Sequence, residues 1–160
     1  MNKITLGGQI PDLTLAATGD KKITLSQLQG SNIIIYFYPK DSTPGCTTEG
    51  QNFRDKFLDF KKLNCLIFGV SRDSLKSHEN FKKKQEFPFD LISDSDETLC
   101  KVFDVIHLKK LYGREYLGIE RSTFFIDING KLIKEWRKVK LKGHIDEVLR
   151  DIEQHQISSK

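Results

Sequence analysis

Cys46 stands where a cysteine can act as a nucleophile. It lies in the stretch Tyr38-Pro39-Lys40-Asp41-Ser42-Thr43-Pro44-Gly45-Cys46-Thr47, directly after the apolar run Ile33-Ile34-Ile35-Tyr36-Phe37. Thr43 suits a helix N-cap. Pro44 suits the first helical position, where its missing N–H costs nothing. Cys46 then falls in the first helical turn, where unpaired backbone N–H groups and the positive end of the helix dipole favour a thiolate over a thiol. The thiolate is the reactive form. A cysteine taken alone is more often a small buried hydrophobe, but this Thr-Pro-Gly-Cys start signal points the other way. The position, at the carboxyl end of a strand and the opening of a helix, is also where open α/β sheets collect ligands.

Few other residues compete for chemistry. Cys65 opens a second apolar run and Cys100 sits beside Phe103, so both read first as packing. The third residue after Cys46 is Glu49, which removes the Cys-x-x-Cys pair that dithiol exchange requires. His78, His107, His144 and His155 show no ligand spacing with each other or with cysteine, and each reads as a surface or satisfied core histidine. Gly7-Gly8 is only a turn, with no phosphate-cradling loop after a strand. No metal and no cofactor are expected. Trp136 reads as packing.

The elements that must position Cys46 can be read from hydrophobic period and turn signals. The first thirty residues predict short β pieces broken at Gly7-Gly8 and Gly19-Asp20, then a helical turn through Leu25 and Leu28. Residues 33–38 are apolar on both parities, as in a central strand buried on both faces. Residues 41–64 predict one helix with Phe53, Phe57, Phe60 and Leu63 on a single stripe. CLIFGVS predicts a second fully buried strand. Residues 74–85 predict a polar helix with Leu75, His78 and Phe81 on one side. Phe89, Leu91 and Ile92 mark a short strand, and Ser93 or Asp94 caps a helix over 95–103. Residues 107–120 read as an irregular surface loop. RSTFFID, the turn Asn129-Gly130 and KLIKEW form the strongest hairpin signal. A last helix carries Ile145, Val148, Leu149 and Ile152, and the tail ISSK is expected to fray. This order predicts an α/β fold with a central mixed sheet flanked by helices, a thioredoxin-like core with an N-terminal β extension.

The chain has 160 residues, which predicts one domain over 1–160. Hydrophobic residues make up 38% and charged residues 30%, a globular composition. Three cysteines are too few for a disulfide scaffold and imply a reducing compartment. The net charge of +4 is spread along the chain. The tightest run, Lys82-Lys83-Lys84, reads as a solvated helix face, so nucleic-acid binding is not expected. The apolar run at Ile33–Tyr38 is far too short to span a bilayer, and the start MNKITLGGQIPDL lacks the pattern of a secretory leader. A cytoplasmic address without membrane attachment is expected.

With these residues in hand, YPKDSTPGCTTEG resembles the active-site segment of the peroxiredoxins: Pro, three residues, Thr, two residues, Cys. Pro39, Thr43 and Cys46 match in type and spacing, and Arg121 in GIERSTFFID matches the family's arginine before a late buried strand. TPGCTTE, SRDSLKSHENF and LISDSDETLCKVFDVI together resemble the Q-type, bacterioferritin comigratory protein subfamily, over a stretch running from GGQIPDLTL to the C-terminal helix.

The resemblance implies a thiol-dependent peroxidase acting on hydrogen peroxide and organic hydroperoxides, without a cofactor. Cys46 would be the peroxidatic thiolate. Arg121 would stabilise it and the leaving oxygen, where a plain reading gives a surface salt bridge. Thr43 would hydrogen-bond the peroxide, or simply cap the helix. Pro39 would shield the sulfur, or simply end the strand. Glu49 would orient Arg121, or lie exposed in the first helical turn. The two positions that carry a resolving cysteine in Q-type relatives are Gln51 and Lys82 here. The resemblance therefore implies a one-Cys-like cycle with an external thiol (thioredoxin, glutaredoxin or glutathione) in a monomer or weak dimer. Resolution by Cys100 is the alternative within this class. Outside it stand a monothiol thioredoxin-like oxidoreductase and a redox-sensing or chaperone-like binding module.

Overall fold

Strand β3 (Asn32–Phe37) divides the molecule in two. Every one of its residues is buried, and alternate side chains enter different cores. Ile33, Ile35 and Phe37 join one apolar cluster, and Ile34, Tyr36 and Tyr38 join the other. The computed structural model describes residues 3–159. Around β3 runs a seven-stranded mixed sheet built from β1 (Thr14–Ala17), β2 (Lys21–Thr24), β4 (Cys65–Ser71), β5 (Asp90–Ser93), β8 (Ser122–Ile126) and β9 (Leu132–Trp136), in the order β2-β1-β5-β4-β3-β8-β9. The central trio β3, β4 and β5 is parallel. The flanking strands are antiparallel to their inner neighbours. This is the expected thioredoxin-like arrangement, with β1 and β2 as the N-terminal extension.

One face of the sheet is covered by α1 (Pro44–Asp55), α2 (Phe57–Lys62), α3 (Leu75–Gln85) and α5 (His144–Ser158), through Phe53, Phe60, Phe81, Val148 and Ile152. The other face is covered by α4 (Thr98–Val102), the 3₁₀ turn Leu25–Leu28 and the segment before β1 through Ile10 and Leu13.

Several local expectations change. The single helix over 41–64 is two helices, separated at Lys56, whose N–H reaches back only to Phe53 O at 3.2 Å. The break lets Phe53 and Phe60 both be fully buried, while Phe57 is only partly so. In β4, Leu66 is exposed, so that strand is not buried throughout. Leu75 in α3 is exposed too, leaving His78 and Phe81 as that helix's core residues. The helix predicted over 95–103 is only α4, and Glu97 sits at its N-cap with φ 64°. Asp94 still serves it, accepting from the N–H groups of Leu99 and Cys100. The C-terminal helix continues through Ile157 and Ser158 instead of fraying at ISSK; Lys160 lies outside the described residues.

The largest correction concerns 107–120. This segment is a regular antiparallel hairpin, β6 (Ile106–Leu111) and β7 (Arg114–Ile119), turned by Tyr112 and Gly113. Both turn residues have positive φ, 52° and 77°, as a two-residue type I′ turn requires. Tyr112-Gly113 lacks the usual Asn or Asp of that turn. The strands also expose Leu108, Leu111 and Leu117 beside charged residues, so no clean alternation marks them.

Candidate active site

The parallel ladder of β3 on β4 ends at Tyr38, whose N–H still bonds Val70 O at 3.0 Å. Pro39 follows and the chain turns. Ser42 takes a left-handed φ of 62°, which is uncommon for a residue other than glycine. Thr43 then occupies the N-cap position of α1 with Pro44 in the first turn, as expected, but its hydroxyl does not cap the helix. It donates to Lys40 O at 2.8 Å, across the turn. Helix α1 opens with the Thr47 N–H on Thr43 O at 2.9 Å. Cys46 is the third residue of the helix and is buried, 2% exposed.

Arg121 reaches this sulfur from the far side of the chain. It lies between β7 and β8, with its carbonyl held by Val139 N–H at 3.0 Å. Its Nη2 is 3.5 Å from Cys46 Sγ, and its Nη1 donates to Glu49 Oε1 at 2.5 Å. Gly45 makes this approach possible: a Cβ there would lie 3.1 Å from Nη2. Glu49, three residues after Cys46, shares its helix face. It is fully buried and belongs to the second helical turn, so the reading as an exposed first-turn carboxylate is corrected. Its Oε2 has no hydrogen-bond partner among the described residues. Burial pushes its carboxyl up to about 7, against the pull of Arg121. Arg121 is likewise no surface salt bridge; its side chain is 17% exposed.

Cys46, Thr43, Arg121, Glu49 and Pro39 thus come from one turn, one helix and one distant strand entrance. Sequence reasoning missed Gly45, although a glycine between Pro44 and Cys46 was a visible signal. It also missed Lys109 of β6. Burial holds its ammonium below the usual lysine range, helped by Arg121 nearby. Asp41 was likewise unnoticed. With Asp73 and His78 it forms a tight cluster whose ligand atoms all lie within 4.8 Å of one another. Those atoms are engaged in hydrogen bonds, including Asp41 Oδ2 to His78 Nδ1 at 2.7 Å and the Asp41 N–H to Asp73 Oδ2 at 2.9 Å.

The remaining candidate positions lie elsewhere. Gln51 donates to Gln85 Oε1 at 2.9 Å, linking α1 to α3. Lys82 donates to Asp90 Oδ1 at 2.8 Å, linking α3 to β5. Cys65 is buried in the same core as Cys46, and burial pushes its thiol up. Cys100 belongs to the core on the opposite face of the sheet. Its thiol is pushed up by burial and then by the Asp94 carboxylate beside it. Trp136 packs against the α5 core and donates to Glu147 Oε2 at 2.7 Å. No helix among the described residues is long and apolar enough to cross a membrane.

Comparison with known proteins agrees with this geometry. The AhpC/TSA family model matches residues 6–135. The chain is 53% identical over 144 residues to peroxiredoxin Bcp of Xanthomonas campestris, covering 90% of each chain. It is 50% identical over 149 residues to peroxiredoxin Bcp of Bacillus subtilis, covering 93% of this chain and 95% of that one. A solved structure of the Xanthomonas campestris bacterioferritin comigratory protein, described for its alkyl peroxide reduction activity, superposes with a TM-score of 0.88 at 49% identity, covering 97% of this chain and 99% of that one. A buried thiol at a helix start with a guanidinium on its sulfur, carried on a thioredoxin-like sheet that matches these relatives over at least nine-tenths of each chain, makes this chain a member of the AhpC/TSA family and a peroxiredoxin of the Q type, a thiol-dependent peroxidase.

Proposed function

We propose that Cys46 is the peroxidatic residue of a one-Cys-like cycle that draws on an external thiol. The observation that carries the reading is the triad of contacts Cys46–Arg121–Glu49. Arg121 holds one nitrogen on the sulfur and the other on a buried carboxylate that fixes its direction. The thiolate attacks the distal oxygen of a hydroperoxide. An S–O bond forms, the O–O bond breaks, and the leaving alkoxide or hydroxide takes up a proton to depart as alcohol or water. Arg121 supplies fixed positive charge where negative charge moves from sulfur to the leaving oxygen. The Thr43 hydroxyl already gives its proton to Lys40 O, so it offers the peroxide a lone pair, orienting the peroxide O–H. In this reading Pro39 shields the sulfur from water, and Glu49 positions Arg121.

The resolving step follows from what surrounds the other thiols. Gln51 and Lys82 occupy the two resolver positions with hydrogen-bonded polar side chains. Cys100 is fully buried in the core across the sheet from Cys46, which supports an external partner over an internal one. An external thiol attacks the sulfenic sulfur, a disulfide forms and water leaves. A second thiol then releases Cys46 and is oxidised with the first. Thioredoxin, glutaredoxin and glutathione all have this chemistry. The three free, buried cysteines support a reducing, cytoplasmic setting. Substrates are hydrogen peroxide and organic hydroperoxides; the alkyl peroxide reduction activity ascribed to the Xanthomonas campestris protein supports the second class. The unit is one domain over 1–160, acting as a monomer or weak dimer.

Single-turnover oxidation of the reduced protein by one equivalent of hydrogen peroxide, with thiol counting and peptide mass mapping, tests the reading. The expected result is loss of one thiol, at Cys46. A Cys46–Cys100 disulfide overturns the external-thiol cycle, and no rapid reaction at Cys46 overturns the peroxidatic assignment.

A further inference from the structure

Asp41 sits at the centre of the turn that carries Pro39 and Thr43, and it is gripped from several elements. Its backbone N–H donates to Asp73 Oδ2 at 2.9 Å. Its Oδ1 accepts from the Tyr38 hydroxyl at 2.7 Å. Its Oδ2 accepts from the Ser77 hydroxyl at 2.7 Å and lies 2.7 Å from His78 Nδ1. His78 is fully buried.

The protons in this cluster can be placed by elimination. His78 Nε2 is 2.9 Å from Ile92 O, which can only accept, so Nε2 carries a hydrogen. Nδ1 and Asp41 Oδ2 are too close to face each other with lone pairs alone, so a second proton lies between them. The pair is therefore neutral as a whole, and each member is the other's compensation in a site closed to water. Removing the donor on one side strands a buried charge or acceptor on the other.

This grip acts on a turn that is not at rest locally. Ser42, next to Asp41, holds φ 62°, a conformation that persists only when its surroundings impose it. On the other side of Asp41, Lys40 O holds the Thr43 hydroxyl. Asp41 thus fixes both neighbours that set Thr43, and through Thr43 the first turn of α1.

We propose that the Asp41–His78 pair is a positioning device for the Cys46 site: gripped between the β3–α1 turn and α3, it holds that turn, and through it Thr43 and the first turn of α1, in place for the peroxide step. His78 and Asp41 are positioning residues, acting through the turn. The proposal rests on the reading of Cys46 as peroxidatic and deepens it, because it names what holds the turn for that step.

The test uses the full chain, with hydrogen peroxide for oxidation of Cys46, followed by rapid quench and mass spectrometry. His78→Gln keeps a donor toward Ile92 O and loses the one toward Asp41; His78→Asn does the reverse. We expect His78→Gln to slow Cys46 oxidation about tenfold. His78→Asn should return the rate to within about threefold of the unaltered protein. Equal behaviour of the two variants overturns the proposal. If the glutamine variant does not fold, Ser77→Ala decides: removing one donor from Oδ2 should slow oxidation by about two- to threefold, and no change overturns the proposal. Unaltered protein that peroxide leaves unoxidised at Cys46 would instead refute the functional reading itself, before any variant is compared.

Discussion

Cys46 and Cys100 occupy the same local position. Each is the third residue of a helix, α1 and α4 respectively, and each is buried. A helix start by itself would activate both. What differs is the group each meets in space. Cys46 has the guanidinium of Arg121 at 3.5 Å from its sulfur. Cys100 has the Asp94 carboxylate, which takes the N–H of Leu99 at 3.0 Å and of Cys100 itself at 2.7 Å. Burial first, and then the negative charge of that carboxylate, push the Cys100 thiol up, where Cys46 meets a cation. The local helix position thus makes a reactive thiol possible, and the tertiary partner sets two locally similar thiols apart.

The largest effect that would break this contrast is at the thiols themselves. Cys46→Ser should abolish peroxide consumption, while Cys100→Ser should leave both its rate and the loss of a single thiol intact. Thiol counting after one turnover checks this, and equal damage by both would dissolve the distinction. Arg121→Ala comes next. Losing a fixed cation at the reacting atoms should slow oxidation by roughly 10²–10³-fold, with circular dichroism unchanged; stopped-flow oxidation of Cys46 is the measurement.

Asp94→Asn sharpens the other side of the comparison. It removes the charge beside Cys100 and weakens two bonds to helix N–H groups, for a loss of about 1–2 kcal/mol. In a protein of this size that lowers Tm by a few degrees. In a Cys46→Ser background, maleimide labelling mapped to Cys100 should become faster.

The smallest effects are pH-dependent, and they have opposite signs. Burial raises the Glu49 carboxyl from 4.5 to about 7. The folded state therefore holds a proton that the unfolded state has lost, and stability falls as pH rises across that window. Burial lowers the His144 imidazole from 6.5 to about 4. The unfolded state there binds the extra proton, so stability falls as pH drops from 6.5 toward 4. Thermal unfolding from pH 4 to pH 8 should show Glu49→Gln gaining on the unaltered protein toward high pH, and His144→Gln gaining toward low pH. A flat difference for either variant would remove that group from the pH response.

Much of this was readable in the chain. Apolar residues on both parities at 33–38 and in most of CLIFGVS marked the central strands, because a strand buried on both faces tolerates little else. Asn129-Gly130 marked the β8–β9 hairpin by its turn chemistry. The β6–β7 hairpin was not legible, because Tyr112-Gly113 is an unusual turn pair and the strands carry exposed leucines beside charges. In the site, Thr43, Pro44 and Cys46 announced themselves through local helix-start rules. Gly45, Asp41 and His78 did not, since their work is done against Arg121, Asp73 and Ile92, which lie far along the chain.

The sequence by itself determined where a thiol meets the start of a helix, which strands are central, and that positions 51 and 82 carry glutamine and lysine instead of cysteine. Only the tertiary structure decided the rest. It buried Glu49, turned Arg121 onto Cys46 instead of into solvent, and set Cys100 on the other face of the sheet beside a carboxylate. The physical reason is range. Helix starts and strand alternation are set by neighbours a few residues away, whereas the charge and solvent exposure of a sulfur depend on groups that meet it only when the chain has folded.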